Sequence, residues 1–208
     1  MKKIIAKSLL EIGCVKFSPD KPFVYASGLS GPIYCDNRMI LSHVALRDLV
    51  IDNFQKIMER ERLIYDLLGG IATAGIPFAS IIADRLKKPM IYIRPKAKGH
   101  GKKNQVEGDF NHGQSVLLFE DLINQGSSVL DALSGLKEAG LNSANCLAIV
   151  DYQMPTAQKN LSAAQIQLFA LTDFSSLVET AFELELINYE NKEELYKWHQ
   201  GGIYGLNS

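Results

Sequence analysis

Three cysteines and four histidines are all that this 208-residue chain holds of the residues that often mark a metal centre or a disulfide scaffold. Cys14, Cys35 and Cys146 are odd in number and far apart, with no CxxC pair and no Cys/His cluster. Structural zinc and a disulfide framework are not expected, and no protein metal ligand is named. Reduced thiols in a cytoplasmic protein are the default. No apolar run approaches the roughly 20 residues that span a bilayer, so no membrane partner is expected. Lys7, Ser8 and Glu11 interrupt the stretch from Ile4 to Ile12, which fits a short amphipathic helix better than a signal peptide. The net charge of −1 gives no general attraction to nucleic acid. Internal repeats, low-complexity tracts and long linkers are absent as well.

What is present is a chain that is 47% hydrophobic, enough to bury the core of one α/β domain covering residues 1–208. The first 40 residues read as irregular, broken by Pro19, Pro22, Gly28, Gly31 and Pro32. Ser42 is a candidate cap for a long helix running to about Leu63. A strand over Leu67 to Ala72 is expected to end in Thr73-Ala74-Gly75, followed by a helix from about Ile76 to Leu86. Met90 to Arg94 reads as a strand and 95–113 as a polar loop. A strand at 115–121, a helix at 127–139 and a strand from Asn145 to Asp151 come next. A helix after Pro155, a strand from Ile166 to Leu171 and helices near 173–184 and 189–199 complete the pattern. Such alternation predicts a mostly parallel sheet flanked by helices, with ligands at the carboxyl ends of its strands.

Three loops after strands carry the chemistry. In Val116-Leu117-Leu118-Phe119-Glu120-Asp121-Leu122-Ile123-Asn124-Gln125-Gly126-Ser127-Ser128, an apolar strand runs into two acids and a short polar turn. A helical pattern on Val129, Leu130, Leu133 and Leu136 follows. The turn offers free backbone N–H groups at a helix N-terminus, which suits a phosphate. The acids would repel a phosphate but accept hydrogen bonds from vicinal hydroxyls, so a ribose 5-phosphate fits the whole segment. Arg94-Pro95-Lys96-Ala97-Lys98-Gly99-His100-Gly101-Lys102-Lys103 holds five permanent cations and no acid. It reads as a solvated surface loop or a nucleic-acid contact or, beside a sugar-phosphate site, as a mobile lid gathering pyrophosphate charge. Thr73-Ala74-Gly75 is either an ordinary turn or a close backbone approach to a ligand. Ser27 to Arg38 delivers Tyr34, Cys35 and Arg38 from a glycine-rich turn. An aromatic face beside an arginine can stack and pair with a flat anionic heterocycle, although core packing and an ion pair explain the same residues.

Together and in this order the segments resemble the orotate phosphoribosyltransferases, a type I phosphoribosyltransferase family of pyrimidine biosynthesis. The resemblance covers nearly the whole chain. It rests on Pro32-Ile33-Tyr34-Cys35-Asp36-Asn37-Arg38, Ala72-Thr73-Ala74-Gly75-Ile76-Pro77, Tyr92-Ile93-Arg94, Lys96-Ala97-Lys98-Gly99-His100-Gly101, Asn104-Gln105-Val106-Glu107-Gly108, Glu120-Asp121-Leu122-Ile123 and Leu171-Thr172-Asp173-Phe174. The resemblance implies a type I fold with a small N-terminal hood, about residues 1–40, and a mobile basic loop. It implies transfer of the 5-phosphoribosyl group from phosphoribosyl pyrophosphate (PRPP) to orotate, with magnesium bound mainly through PRPP. Glu120 and Asp121 would hold the ribose hydroxyls, Asn124, Gln125, Gly126, Ser127 and Ser128 would cradle the 5-phosphate, and Leu122 and Ile123 between them would belong to the PRPP site. Thr73, Ala74 and Gly75 would line the pyrophosphate, and Arg94, Lys98 and His100 would be catalytic. Their loop would reach into the neighbouring subunit of a homodimer. Asn124, Tyr34 and Cys35 would touch orotate, and Arg38 is the candidate partner for its carboxylate.

The chain departs from the family pattern at Pro95, at Ser30-Gly31 and in the phosphate loop Asn124-Gln125-Gly126-Ser127. Two other readings therefore stay open: a phosphoribosyltransferase for another base, and a catalytically weak PRPP-binding regulator.

Overall fold

Strands that are apolar on both faces must be covered on both sides, and the computed structural model shows how this chain does so. It describes residues 1–25, 28, 30–95 and 105–201. In chain order these form α1 (Lys2–Glu11), β1 (Val15–Phe17), β2 (Phe23–Val24), β3 (Ser30–Gly31), β4 (Ile33–Cys35), a 3-10 turn (Asn37–Ser42) and α2 (Val44–Arg60). Then come β5 (Leu67–Ile71), α3 (Gly75–Leu86), β6 (Met90–Ile93), β7 (Val106–Glu107), β8 (Ser115–Ile123) and α4 (Ser127–Glu138). The last elements are β9 (Asn142–Asp151), α5 (Pro155–Ala163), β10 (Gln167–Asp173), α6 (Phe174–Glu183) and α7 (Tyr189–His199).

Among the described residues the central sheet has six strands in the order β10-β9-β8-β5-β6-β7, all parallel except the β6–β7 pair. The chain enters at β5, adds β6 on one side, then crosses to place β8 on the other. The topology thus switches direction between β5 and β8, and a crevice opens there at the strands' carboxyl ends. Alternate residues feed two cores. Leu68, Leu117, Phe119, Leu147 and Ile149 pack with α1, α2, α3 and α6. Leu67, Val116, Leu118, Cys146 and Ala148 pack with α4 and α5 on the opposite face. Phe54 meets Phe119 edge to face, ring centres 5.7 Å apart, a favoured aromatic geometry.

Two glycines bring α3 onto the switch point. A Cβ at Gly70 would lie 2.6 Å from the Cα of Ile76, and one at Gly75 would overlap the carbonyl oxygen of Phe119. Only glycine lets the turn after β5 lie against β8.

Several boundaries differ from the sequence reading, each for a local reason. Ser42 does not cap α2. It closes the preceding 3-10 turn, where the His43 N–H bonds to Ile40, and His43 takes the cap position without a side-chain bond. The first 40 residues are less irregular than expected, because β1 pairs with β4 and β2 with β3 in short antiparallel ladders. The loop over 95–113 contains β7, recruited as an antiparallel edge strand by β6. Strand β8 runs on to Ile123, since its ladder with β9 continues through Leu122↔Val150 and Ile123↔Asp151. The two acids therefore lie inside the strand and not at its tip. The expected basic loop falls largely on residues 96–104, outside the described residues.

Candidate active site

At the switch point a cavity of about 370 Å³ is lined by Ala72, Thr73 and Ala74 after β5 and by Glu120, Asp121 and Leu122 of β8. Ser128 at the start of α4 and Cys35, Asp36 and Arg38 from the N-terminal segment complete it. The ladder between β5 and β8 ends at Gly70↔Phe119. Beyond that pair the strands part, and the opening is the cavity.

The chemistry of the β8 wall is that of two acids forced together. Glu120 is only 6% exposed, and its Oε1 accepts the N–H of Asp121 at 2.9 Å. Burial, and then the charge of Asp121, push the Glu120 carboxyl up to about 8. Burial also raises Asp121. Two neighbouring carboxylates in a low-dielectric wall resist double ionisation. A ligand with vicinal hydroxyls relieves this by donating to both.

Next to the acids, α4 begins at Ser127 without a side-chain cap. Gly126 adopts φ 76° to make the turn. The first N–H groups of α4 have no partner within the helix, and the helix dipole adds positive potential there. Asn160 of α5 donates to the Gln125 carbonyl at 3.2 Å, and Gln125 donates to Asn124 at 3.3 Å, which fixes the loop. A second cavity of about 190 Å³ lies alongside, lined among others by Ser127, Ser128, Asp131, Ala72, Arg94 and Pro95. Ala72 and Ser128 line both cavities, so the two form one extended trough. Arg94 in that trough is paired with Glu107 at 2.8 Å.

On the N-terminal wall, Arg38 grips Asp36 through two bonds of 2.6 and 2.8 Å. That guanidinium holds the Asp36 carboxyl below its usual range. Cys35 is held as a neutral thiol, its contact with Cys14 and then burial pushing it well up. It offers no nucleophile.

The structure gathers Thr73, Ala74, Glu120, Asp121, Leu122, Ser128, Cys35 and Arg38 around the first cavity. Ser127 and Arg94 line the second. Gly75 lies beneath, buried at the start of α3. Ile123 points into the core, 1% exposed. Asn124, Gln125 and Gly126 form the connecting turn without lining either cavity. Tyr34 is set apart: neighbours on a strand face opposite ways, and its ring lies 5.6 Å from that of Phe23 while Cys35 faces the cavity. Lys98 and His100 lie outside the described residues. Asp36 and Ala72 line the cavity although they were not singled out as site residues. Their signal was position, each adjoining a segment already marked.

A magnesium ion is compatible with this donor set only in part. Among the described residues no group of three or more His, Cys, Asp or Glu side chains is arranged to hold a metal. One or two carboxylates with substrate phosphates are the usual magnesium set, and Glu120 and Asp121 are the carboxylates at hand. Among the same residues no helix is long and apolar enough to cross a membrane.

Comparison with known proteins adds four findings. Residues 36–174 match the phosphoribosyl transferase domain family. The chain is 45% identical over 196 residues, 94% of each chain, to the orotate phosphoribosyltransferase of Coxiella burnetii. Its fold is similar to that of the orotate phosphoribosyltransferase of Aeropyrum pernix, with a TM-score of 0.77 and 28% identity over 88% of this chain and 99% of that one. The Leishmania donovani UMP synthase gives a TM-score of 0.80 and 26% identity over 96% of this chain. The match spans only 42% of that longer protein.

Proposed function

The chain belongs to the phosphoribosyl transferase domain family, and from that premise we propose that it is an orotate phosphoribosyltransferase. It transfers the 5-phosphoribosyl group of PRPP to orotate, giving orotidine 5′-phosphate and pyrophosphate. The observation that carries the reading is the trough at the switch point, where buried acids face a small-residue turn and adjoin an uncapped helix start. One wall accepts hydrogen bonds from hydroxyls, and the other two present backbone N–H groups to phosphate.

The roles follow from the walls. Glu120 and Asp121 take the ribose 2′ and 3′ hydroxyls. The turn from Asn124 to Ser128 holds the 5-phosphate, chiefly by backbone. Thr73 to Gly75 line the pyrophosphate. Orotate lies against Cys35 and Arg38, next to the anomeric carbon. Orotate nitrogen attacks that carbon as the pyrophosphate oxygen departs on the opposite face, with inversion, and the N–H proton of the base passes to solvent or to the departing pyrophosphate. Negative charge grows on the leaving group, and Arg94, Lys98 and His100 stabilise it. Arg94 must first exchange Glu107 for the diphosphate. Bound magnesium would neutralise diphosphate charge. No proton needs to be taken from a protein nucleophile, which fits the neutral thiol at Cys35.

Residues 1–208 act as one domain, with the first 40 covering the base, in a cytoplasmic homodimer whose basic loop serves the neighbouring subunit. The decisive measurement is loss of orotate absorbance in the presence of magnesium and PRPP, run beside uracil, adenine and hypoxanthine. Consumption of another base in preference to orotate would refute the assigned substrate. Binding of PRPP without turnover of any base would favour a regulator. Lys98→Ala should slow turnover far more than it weakens PRPP binding. Mixing Lys98→Ala with Asp121→Asn subunits should restore some activity, and no recovery would count against a shared loop.

A further inference from the structure

Where β8 runs on past the end of β5, its edge is left open. At Asp121, just past that point, both backbone groups are held by side chains. The N–H is taken by the Glu120 carboxyl. The carbonyl is taken by Asn37, whose Nδ2 donates to it at 2.9 Å across 84 positions of sequence.

Asn37 opens the 3-10 turn after β4 and is completely buried. Its Oδ1 lies 3.1 Å from the Cys35 sulfur and 3.4 Å from the Cys14 sulfur, both thiols acting as donors. Cys14 also lies 3.0 Å from the Asp36 carbonyl, a second acceptor for its single proton. These partners settle the amide's orientation. Flipped, it would set its oxygen against the Asp121 carbonyl oxygen and turn donors toward two thiols. A buried amide has too much to lose for that.

The geometry points to Asn37 as a positioning residue for the ribose-binding acids. Its bond to the Asp121 carbonyl fixes the backbone from which Asp121 and Glu120 reach the sugar. It also ties that backbone to Cys35, the thiol on the base side of the cavity. Asn37 itself does not line the cavity, so it acts only through these neighbours. The inference rests on the reading of Glu120 and Asp121 as ribose-binding.

Calorimetry with two partial ligands separates the cases. Ribose 5-phosphate engages the acids and the α4 turn, whereas magnesium pyrophosphate engages the Thr73 turn. In Asn37→Leu the affinity for ribose 5-phosphate should fall roughly tenfold, as for one lost buried hydrogen bond. Pyrophosphate affinity should stay within about twofold on the same scale. Unchanged ribose 5-phosphate binding, or an equal fall for both ligands, overturns the positioning role. Should Asn37→Leu not fold, Asn37→Asp keeps the shape. Ionised, its carboxylate cannot donate to the Asp121 carbonyl, and protonated, it can. Its ribose 5-phosphate affinity relative to wild type should therefore be lower at about pH 8 than at about pH 6. A pH-independent ratio overturns the proposal. Failure of the wild-type protein to bind either PRPP or ribose 5-phosphate would instead sink the site assignment itself, and this inference with it.

Discussion

Glu120 and Asp121 sit in a nine-residue strand, while Cys35, Asp36 and Arg38 hang from ladders of only two and three residue pairs. The two walls of one cavity are thus anchored very differently. The β8 wall has cores on both faces and can hold two carboxyls where burial disfavours their charge. The N-terminal wall carries its charge as an exposed Asp36–Arg38 pair, with Arg38 63% exposed. A group common to every donor substrate calls for fixed acceptors, set by a packed sheet. A variable base needs only an adaptable cover. If that contrast is sound, damage to the sheet wall should abolish sugar binding, and damage to the exposed part of the cover at Arg38 should alter only the base step, Asn37 being tied to the sheet.

The largest effect is expected from Glu120→Gln combined with Asp121→Asn. Hydrogen bonds to charged groups contribute about 1.5–3 kcal/mol each, so PRPP affinity should fall about a hundredfold or more. The same change removes one buried and one half-buried carboxylate, and the melting temperature of the ligand-free protein above about pH 8 should rise. A double variant that binds PRPP normally would erase the distinction between the walls.

Gly75→Ala attacks the joint between the Thr73 turn and β8. The new methyl group would meet the Phe119 carbonyl oxygen, which cannot retreat because Phe119 is buried against Phe54. Overpacking of this kind costs about 1–3 kcal/mol and sometimes more. Chemical denaturation should register the loss, with pyrophosphate affinity falling alongside stability. A stable variant with normal pyrophosphate binding would show that the turn and strand are not locked together.

These sheet features were legible in the sequence because both signals are local and periodic. Apolar runs at Leu67–Ile71 and Val116–Phe119 announced the strands, and an acid pair after an apolar run announced a site. The end of β8 was misplaced because Leu122 and Ile123 stay paired through β9, a partner some thirty residues away. β7 was invisible for the same reason, being two residues that become a strand only beside β6. Tyr34 and Cys35 could not be separated without knowing which face of β4 meets the cavity. Asn37 lies within the Pro32–Arg38 motif, but its bond to Asp121 is a tertiary contact across the fold that no local pattern reveals.

A pH titration sharpens the contrast in the sheet wall alone. Glu120 keeps its proton in the folded chain up to about 8, against an ordinary value of 4.5. Between those values the folded state binds more protons than the unfolded state, so stability falls as pH rises through that window. Asp121, raised by burial, acts in the same direction. Sugar binding should move oppositely, because the ionised acids are the better acceptors. Ligand-free melting temperature should therefore decline from about pH 5 to about pH 8 while PRPP affinity climbs toward the upper end. In Glu120→Gln the decline should be smaller. An undiminished slope in that variant would assign the effect to other groups.

The smallest change belongs to the cover. Arg38→Met removes an exposed side chain whose visible partner, Asp36, is itself at the surface, and stability should not move measurably. If Arg38 leaves Asp36 to pair with the orotate carboxylate, the KM for orotate should rise about fivefold. The gain from orotate is partly offset by the bond given up to Asp36, so the effect stays below that of a new ion pair made from solvent. The KM for PRPP should stay constant, since no atom of the sheet wall depends on Arg38. A parallel rise in both constants would mean that Arg38, like Asn37, also reaches the sugar-binding backbone, through Cys35 and Asn37. The two walls would then act as one device.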